Sequence, residues 1–170
     1  VATLRSWKGH RYVIEALLKC PDVFFVIAGD GPQRDNLRKQ VRTYGLESRV
    51  TFLGHCDDVR VIYHALDVFV QPSTANEGVS QSVLQAMASG LPVIASDIGG
   101  LNEVISNEVD GYLVPPHDSK AIAERIAWLQ KNSDISNQLA GCARGRVLEH
   151  YSLGQMESKM ASLEAELQRT

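Results

Sequence analysis

Charged and polar residues that can bind an anion lie between the apolar runs of this sequence. Arg5 and Lys8 place two cations in the first such loop, and Glu77 places a carboxylate just before a predicted helix. The backbone N–H groups at the start of a helix lack intrahelical acceptors and carry the positive end of the helix dipole, so they form a natural anion cradle. The residues of this cradle are Gly78, Val79, Ser80 and Gln81.

The predicted helix, which opens at Glu77-Gly78 and is closed by Gly90, carries an uncharged polar stripe beside its apolar face. A solvated face usually holds Lys and Glu, so this stripe suggests that the helix lines a site. For Gln85, an inert position on an exposed face is the plainer alternative. The stripe consists of Gln81, Ser82, Gln85 and Ser89.

The other candidate residues also have structural explanations. Arg5 and Lys8 can be solvated loop charges, and Glu77 can favour the N-terminus of the helix that follows it. Gly29-Asp30-Gly31 is not a dinucleotide fingerprint, because Arg34 stands where that motif requires glycine. A tight turn explains these glycines, although their backbone can also approach an anion closely.

The elements that must position these residues alternate between strand and helix, which predicts an α/β fold with a parallel, Rossmann-like, six-stranded sheet and helices on both faces. Such a sheet binds ligands at the carboxyl ends of its strands, where all the candidate loops lie. The predicted strands are Val1 to Leu4, Val23 to Ala28, Val50 to Leu53, Asp67 to Val70, Leu91 to Ala95 and Gly111 to Val114.

Helical patterns fill the intervals and then the whole C-terminal third of the chain. Ser119 is placed to cap the first C-terminal helix, and Pro32 is predicted to occupy the first position of another helix. The last helix, Leu153 to Gln168, has an apolar stripe that predicts packing on another surface. This stripe consists of Met156, Met160, Leu163 and Leu167.

The central segment resembles the nucleotide-sugar-binding half of the retaining GT-B glycosyltransferases of the "group 1" or family 4 type. The matching motifs are Lys8-Gly9, Gly29-Asp30-Gly31-Pro32, Val50 to Gly54, Glu77-Gly78 through Gly99-Gly100, and Asp110-Gly111 through Pro115. Gln85 stands where the family has the second Glu of its E-x7-E pair, and the family's first-loop Arg falls at Thr3.

This resemblance implies roles for the candidate residues. Lys8, Arg5 and Glu77 become the catalytic group: the cations for the leaving diphosphate, and Glu77 for hydroxyls of the transferred sugar. Gln85 would accept from the nucleotide ribose, and Gly29 and Gly31 would lie near the nucleotide. The donor is then a UDP-, GDP- or ADP-linked sugar, no metal or other cofactor is required, and configuration is retained.

Composition and length set the remaining expectations. A net charge of −3 gives no basic excess for nucleic acid, and no apolar run approaches the roughly 20 residues of a membrane span. Three scattered cysteines indicate neither a disulfide framework nor a zinc site. The three loop histidines, His10, His55 and His117, are expected to be solvated and receive no catalytic role.

We therefore interpret residues 1–170 as one donor-binding domain of a longer, cytoplasmic two-domain enzyme, peripheral at the inner face of the membrane. Its absent N-terminal domain would hold a glycan or lipid acceptor of polysaccharide or lipopolysaccharide biosynthesis. By itself the domain is expected to bind a nucleotide and to transfer no sugar. Two alternatives stay open at this point: a non-catalytic nucleotide-sugar-binding module, and a related GT-B enzyme such as a nucleotide-sugar epimerase.

Overall fold

The computed structural model describes residues 1–75 and 77–167 of the chain. Within them, the strands form two parallel sheets that pack against helices, which confirms the α/β class and the parallel strands. The first sheet pairs β1 with β2, and the second has the order β3-β4-β5. The strands are β1 Phe25–Ala28, β2 Val50–Gly54, β3 Phe69–Gln71, β4 Val93–Ser96 and β5 Tyr112–Val114.

Five strands are formed in the described residues, rather than the six predicted. The missing one is Val1 to Leu4, which runs beside β1 with only two backbone hydrogen bonds: Ala2 N–H to Ala28 O at 3.0 Å and Leu4 N–H to Asp30 O at 2.9 Å. A cavity of about 540 Å³ separates β1 from β3 at this point. Val1 to Leu4 therefore lacks the ladder on its second side that a full strand would have.

The helices mostly begin and end within a few residues of the predicted positions. They are α1 His10–Ala16, α2 Arg34–Thr43, α3 Arg60–His64, α4 Gln81–Ala88, α5 Leu101–Val104, α6 Ser119–Lys131, α7 Ser133–His150 and α8 Leu153–Leu167, with 3₁₀ turns at Ser6–Lys8 and Leu17–Lys19.

The predicted starts of α2 and α6 are wrong. Asp118, not Ser119, caps α6, because its carboxylate accepts from Ala121 N–H at 2.9 Å. Pro32 precedes α2 by two residues instead of opening it, since Gln33 is the N-cap residue and the helix starts at Arg34.

The central strand β4 explains why the sheet is covered on both sides. Its residues alternate: Val93 and Ala95 pack in a cluster with α4 and α7, whereas Ile94 packs in a cluster with α1 and α6. All three side chains are fully buried. A continuous apolar run such as Leu91 to Ala95 is the pattern expected of a strand buried on both faces.

The prediction that the last helix packs on another surface is wrong for the residues that can be assessed. Met156 and Met160 of α8 are 54% and 55% exposed, and Leu167 is 75% exposed. The side chain of Leu163 and residue Gln168 lie outside the described part. Among the described side chains, the three core clusters extend along the chain as far as α7 and Tyr151.

Candidate functional site

The side chains of Lys8 and Glu77 meet at the carboxyl edge of the sheets. Lys8 lies in the loop after Val1 to Leu4, and Glu77 lies between β3 and α4, yet Lys8 Nζ donates to Glu77 Oε1 at 2.5 Å. Lys8 is 20% exposed and Glu77 is 5% exposed. Removing one partner of a pair this enclosed leaves a poorly solvated charge, so the two residues depend on each other.

Two buried neutral side chains add hydrogen bonds to the same carboxylate. Ser73 Oγ donates to Glu77 Oε1 at 2.5 Å, and Gln71 Nε2 lies 3.3 Å from that oxygen and 2.9 Å from Ser73 Oγ. Gln71 is the last residue of β3, and both side chains are essentially inaccessible to solvent. Glu77 is thus held by one cation and two neutral donors.

Backbone contacts hold the loops of Lys8 and Glu77 together. Thr74 N–H donates to Trp7 O at 2.7 Å, and Gly9 lies directly against Pro72. A Cβ at Gly9 would be 1.7 Å from Pro72 O, and Gly9 has a φ of 68°. Only glycine satisfies both the close approach and the left-handed backbone.

A second close contact, made by Gly100, holds the segment around Glu77. Gly100 N–H donates to Glu77 O at 3.0 Å, and a Cβ at Gly100 would be 2.5 Å from the carbonyl carbon of Gly78. The Gly99-Gly100 pair after β4 is therefore required by packing against the loop that carries Glu77.

The predicted anion cradle is displaced relative to the helix. Helix α4 begins at Gln81, not at Glu77-Gly78, because Ser80 has an extended backbone and is the N-cap residue. Among the described residues, the N–H groups of Gly78, Val79 and Ser80 donate no hydrogen bond. Together with the first turn of α4, they leave a row of donors beside Glu77 that can meet an anion.

Gln85 is exposed, but its side chain forms a hydrogen bond with a residue of α3. Its Oε1 accepts from the Tyr63 hydroxyl at 3.2 Å, and the same hydroxyl lies 3.2 Å from Ser82 O. Burial raises the pKa of Tyr63 to about 12, so this hydroxyl remains a donor at neutral pH. Gln85 is therefore oriented by a hydrogen bond from α3, and its Oε1 is the atom that Tyr63 contacts.

Arg5 does not join Lys8 at Glu77. Its guanidinium lies 5.7 Å from the centre of the Trp7 ring, and its side chain lines a separate cavity of about 480 Å³ between α1 and α2. Arg11 and Glu15 line the same cavity. The structure thus brings together two of the three residues predicted to act on the leaving group and the sugar.

Gly29 and Gly31 pack closely against the backbone of Val1 to Leu4. Gly29 N–H donates to Gly54 O at 2.6 Å, and Gly31 N–H donates to Asp30 Oδ1 at 2.7 Å, so neither group is available to an anion. A Cβ at Gly29 would be 1.9 Å from Ala2 O. The tight-turn explanation therefore accounts for both glycines, and a direct contact with a nucleotide stays a prediction.

A small cavity of about 250 Å³ opens beside this turn. It lies at the carboxyl ends of β1 and β2, between Ala2, Gly29 and the loop after β2, to which His55, Cys56 and Val59 contribute. The loop from Gly54 to Asp58, selected from the sequence as a strand-to-helix connection, thus lines an open site at the edge predicted for ligands.

The expectation of solvated histidines is wrong for His10. This residue begins α1, is 7% exposed, and its Nδ1 has no partner among the described residues. Burial, with smaller contributions from the amino group of Val1 and from Lys8, lowers the pKa of His10 to about 4. His55 is exposed as expected, and His117, also exposed, bonds the Tyr12 hydroxyl through Nδ1 at 2.6 Å.

Two further properties of the described residues bear on the site. They contain no group of three His, Cys, Asp or Glu side chains that could hold a metal ion, and the cysteines Cys20, Cys56 and Cys142 are free. None of their helices combines the length and the apolar character needed to cross a bilayer.

The sequence interpretation missed Gln71 and Ser73 as site residues. Gln71 follows directly after the predicted strand that ends at Val70, but the sequence interpretation assigned no role to it. One signal was available: a polar residue ends the apolar run of β3, at the edge where parallel strands present their ligand-binding residues.

Comparison with known proteins places these motifs in a family. The sequence profile described as "Glycosyl transferases group 1" matches residues 1–146. The UDP-Gal:alpha-D-GlcNAc-diphosphoundecaprenol alpha-1,3-galactosyltransferase of Escherichia coli is 32% identical over 154 residues, which cover 90% of this chain and 39% of that protein. The lipopolysaccharide core biosynthesis glycosyltransferase LpsE of Rhizobium meliloti is 32% identical over 133 residues, covering 78% of this chain and 39% of LpsE.

Solved structures are similar over the same region. Anabaena HepE in complex with UDP superposes with a TM-score of 0.93 and 29% identity, covering 97% of this chain and 47% of HepE. The C-terminal domain of the group 1 glycosyl transferase LpcC from Francisella tularensis gives a TM-score of 0.78 and 33% identity, covering 89% of this chain and 83% of that domain. The chain spans about two fifths of the length of the two curated relatives described above.

Proposed function

Because the chain belongs to the glycosyl transferases group 1 family, we propose that it is the nucleotide-sugar-binding domain of a retaining glycosyltransferase. The observation that carries this proposal is the Lys8–Glu77 pair, which is held beside the unpaired N–H groups of Gly78 to Ser80. That arrangement offers positive charge for a diphosphate and a carboxylate for sugar hydroxyls at one edge of the sheets.

Each residue has a role in this proposal. Lys8 and the N–H groups from Gly78 to Gln81 neutralise the diphosphate, whose negative charge grows as the glycosidic bond breaks. Glu77 accepts hydrogen bonds from hydroxyls of the transferred sugar. Gln85 contacts the ribose, and Arg5, which lies in the same loop as Lys8 but lines a separate cavity, contributes only long-range positive charge.

The donor that we propose is a UDP-sugar. Two of the similar structures are HepE in complex with UDP and with UDP-glucose, and the Escherichia coli relative is named for UDP-Gal. In this proposal Lys8 and the backbone donors stabilise the diphosphate without a metal ion. Cations and preorganised N–H groups can fill that role.

We further propose that the acceptor is a cell-envelope glycan or lipid-linked sugar at the cytoplasmic face of the membrane. The names of relatives support this: lipopolysaccharide core for LpsE, and a diphosphoundecaprenol-linked sugar for the Escherichia coli enzyme. Because the matched region covers only 39% of each of those relatives, we assign the acceptor to a second, N-terminal domain. No specific observation on the described residues favours the two alternatives, a nucleotide-sugar epimerase and a non-catalytic nucleotide-sugar-binding module.

Calorimetric titration of the 170-residue chain tests the proposed function. UDP, GDP, ADP and uridine would be titrated in buffer with EDTA. We expect UDP to bind with a Kd of roughly 0.1–1 mM, or about −4 to −5.5 kcal/mol, and uridine to bind more weakly. No sugar transfer is expected without an acceptor domain to orient the reactants. Absence of binding by every nucleoside diphosphate would contradict the proposal.

Replacing Lys8 should separate the phosphate contribution from that of the nucleoside. In Lys8→Ala we expect UDP binding to weaken by about 1.5–3 kcal/mol, the range for a hydrogen bond to a charged group, while uridine binding changes little. Lys120→Ala is the matched control, because Lys120 is 70% exposed on α6 and pairs with Glu124 on the same helix. Equal losses for UDP and uridine would place Lys8 away from the phosphates.

Replacing Gln85 tests the ribose contact. In Gln85→Glu we expect UDP to bind more tightly, by about 1 kcal/mol, because a charge-assisted hydrogen bond is roughly twice as strong as a neutral one. The Tyr63 hydroxyl can donate to the new carboxylate as it does to the amide oxygen. Calorimetric curves that coincide for the wild type and Gln85→Glu would remove Gln85 from the site.

A further inference from the structure

The hydrogen bonds to Glu77 are distributed unequally between its two oxygens. Lys8 Nζ, Ser73 Oγ and Gln71 Nε2 all approach Oε1, at 2.5, 2.5 and 3.3 Å. No described residue donates to Oε2. The buried polar atoms that lack a partner in the described part of the chain are His10 Nδ1 and Arg146 Nε. Glu77 Oε2 is not among them, so this oxygen is not fully buried, although the side chain as a whole is only 5% exposed.

The three donors differ in what a bound diphosphate would do to them. Lys8 carries a mobile charge at the end of a flexible side chain, and a diphosphate competes with Glu77 for it. Gln71 and Ser73 are neutral, 2% and 0% exposed, and a ligand does not reach them directly. They can therefore keep hold of Oε1 while Lys8 turns toward the phosphates.

Fixing a flexible glutamate side chain on binding loses rotamer entropy, which weakens binding. A carboxylate that is already held at one oxygen avoids most of that loss, which is the benefit of preorganisation. The backbone that carries Gln71 and Ser73 is held in place, because Gln71 lies in β3 and Pro72, between the two residues, packs against Gly9.

We propose that Gln71 and Ser73 are positioning residues that hold Glu77 Oε1 and thereby direct Oε2 at a hydroxyl of the bound sugar. They act on recognition of the sugar and leave the binding of the nucleotide almost unchanged. The inference rests on the proposed function, because it needs a nucleotide sugar in this site.

The test compares UDP with UDP-glucose and UDP-galactose, titrated calorimetrically into the 170-residue chain. In Gln71→Leu, which keeps the size of the side chain and removes its amide, we expect affinity for the better-bound UDP-sugar to fall about three- to tenfold, the range for one or two neutral hydrogen bonds. Affinity for UDP should change less than twofold. Ser73→Ala should show the same split and provides a second variant in case Gln71→Leu does not fold.

Gln155→Leu is the matched control, because Gln155 is exposed on α8. Equal losses of UDP and UDP-sugar affinity in both Gln71→Leu and Ser73→Ala would overturn the inference, since that result indicates a general structural role. A wild-type chain that binds the UDP-sugars no better than UDP would also overturn it and leave the proposed nucleotide site intact. A wild-type chain that binds none of the three would contradict the proposed function and this inference with it.

Discussion

Gly9→Ala is expected to destabilise the protein by about 2–5 kcal/mol, a large part of the 5–15 kcal/mol typical of a folded domain. A left-handed backbone costs a residue with a Cβ about 1–2 kcal/mol. Overpacking against a neighbour typically costs about 1–3 kcal/mol more. Both apply here, because Gly9 has a φ of 68° and its added Cβ would lie 1.7 Å from the backbone oxygen of Pro72.

Gly45→Ala measures the cost of the left-handed backbone without overpacking. Gly45 has a φ of 64°, and no atom lies within 4 Å of a Cβ built there. Urea or thermal unfolding should therefore show about 1–2 kcal/mol for Gly45→Ala and a clearly larger loss for Gly9→Ala. Equal losses would mean that the contact between Gly9 and Pro72 does not constrain the two loops.

The Gly9 substitution should also reduce nucleotide binding in the protein that remains folded. The contact with Pro72 joins the loop of Lys8 to the loop of Ser73 and Glu77, and separating them lengthens the Lys8–Glu77 pair. Displacements of about 1 Å at a binding site have large effects. Calorimetry with UDP at a temperature where Gly9→Ala is folded would measure this loss, whereas Gly45→Ala should bind as the wild type does.

Acidification is expected to destabilise the protein through His10. The folded-state pKa of about 4 lies below the usual 6.5, so between these values the unfolded chain binds a proton that the folded chain does not. The contribution of neutral His10 to the free energy of unfolding is fully present above pH 6.5 and is lost as the pH falls to about 4. The whole difference corresponds to roughly 3 kcal/mol of unfolding free energy.

His10→Leu should flatten this pH dependence, because leucine fills a similar buried space and does not titrate. Unfolding free energies measured from urea titrations between pH 4 and 8 would show it, with exposed His64→Gln on α3 as the control. A slope between pH 8 and 6 should persist in His10→Leu, because burial lowers the pKa of the Val1 amino group to about 6. A variant that loses stability between pH 6.5 and 4 as the wild type does would contradict this account.

The sequence alone predicts the class of fold that the structure has, and it places the candidate loops at the carboxyl edge of the sheets. Strand β4 shows why: Leu91 to Ala95 is apolar at every position, and Gly90 with Pro92 bounds it locally. Such signals depend on neighbours within a few residues, so they can be interpreted without knowledge of the rest of the chain. Lys8, Glu77 and the Gly78–Gln81 segment were located in the same way, from residue type and position in the strand–helix order.

Tertiary structure decided which of these residues meet and what holds them. Lys8 pairs with a residue 69 positions away, Arg5 faces a different cavity, and two unassigned neutral residues, Gln71 and Ser73, hold the carboxylate. The start of α4 at Gln81, the burial of His10 and the exposure of Met156 and Met160 also depend on long-range packing. Periodicity and turn chemistry describe only local preferences, whereas burial and side-chain partners are set by segments that lie far apart in the sequence and meet only in the folded chain.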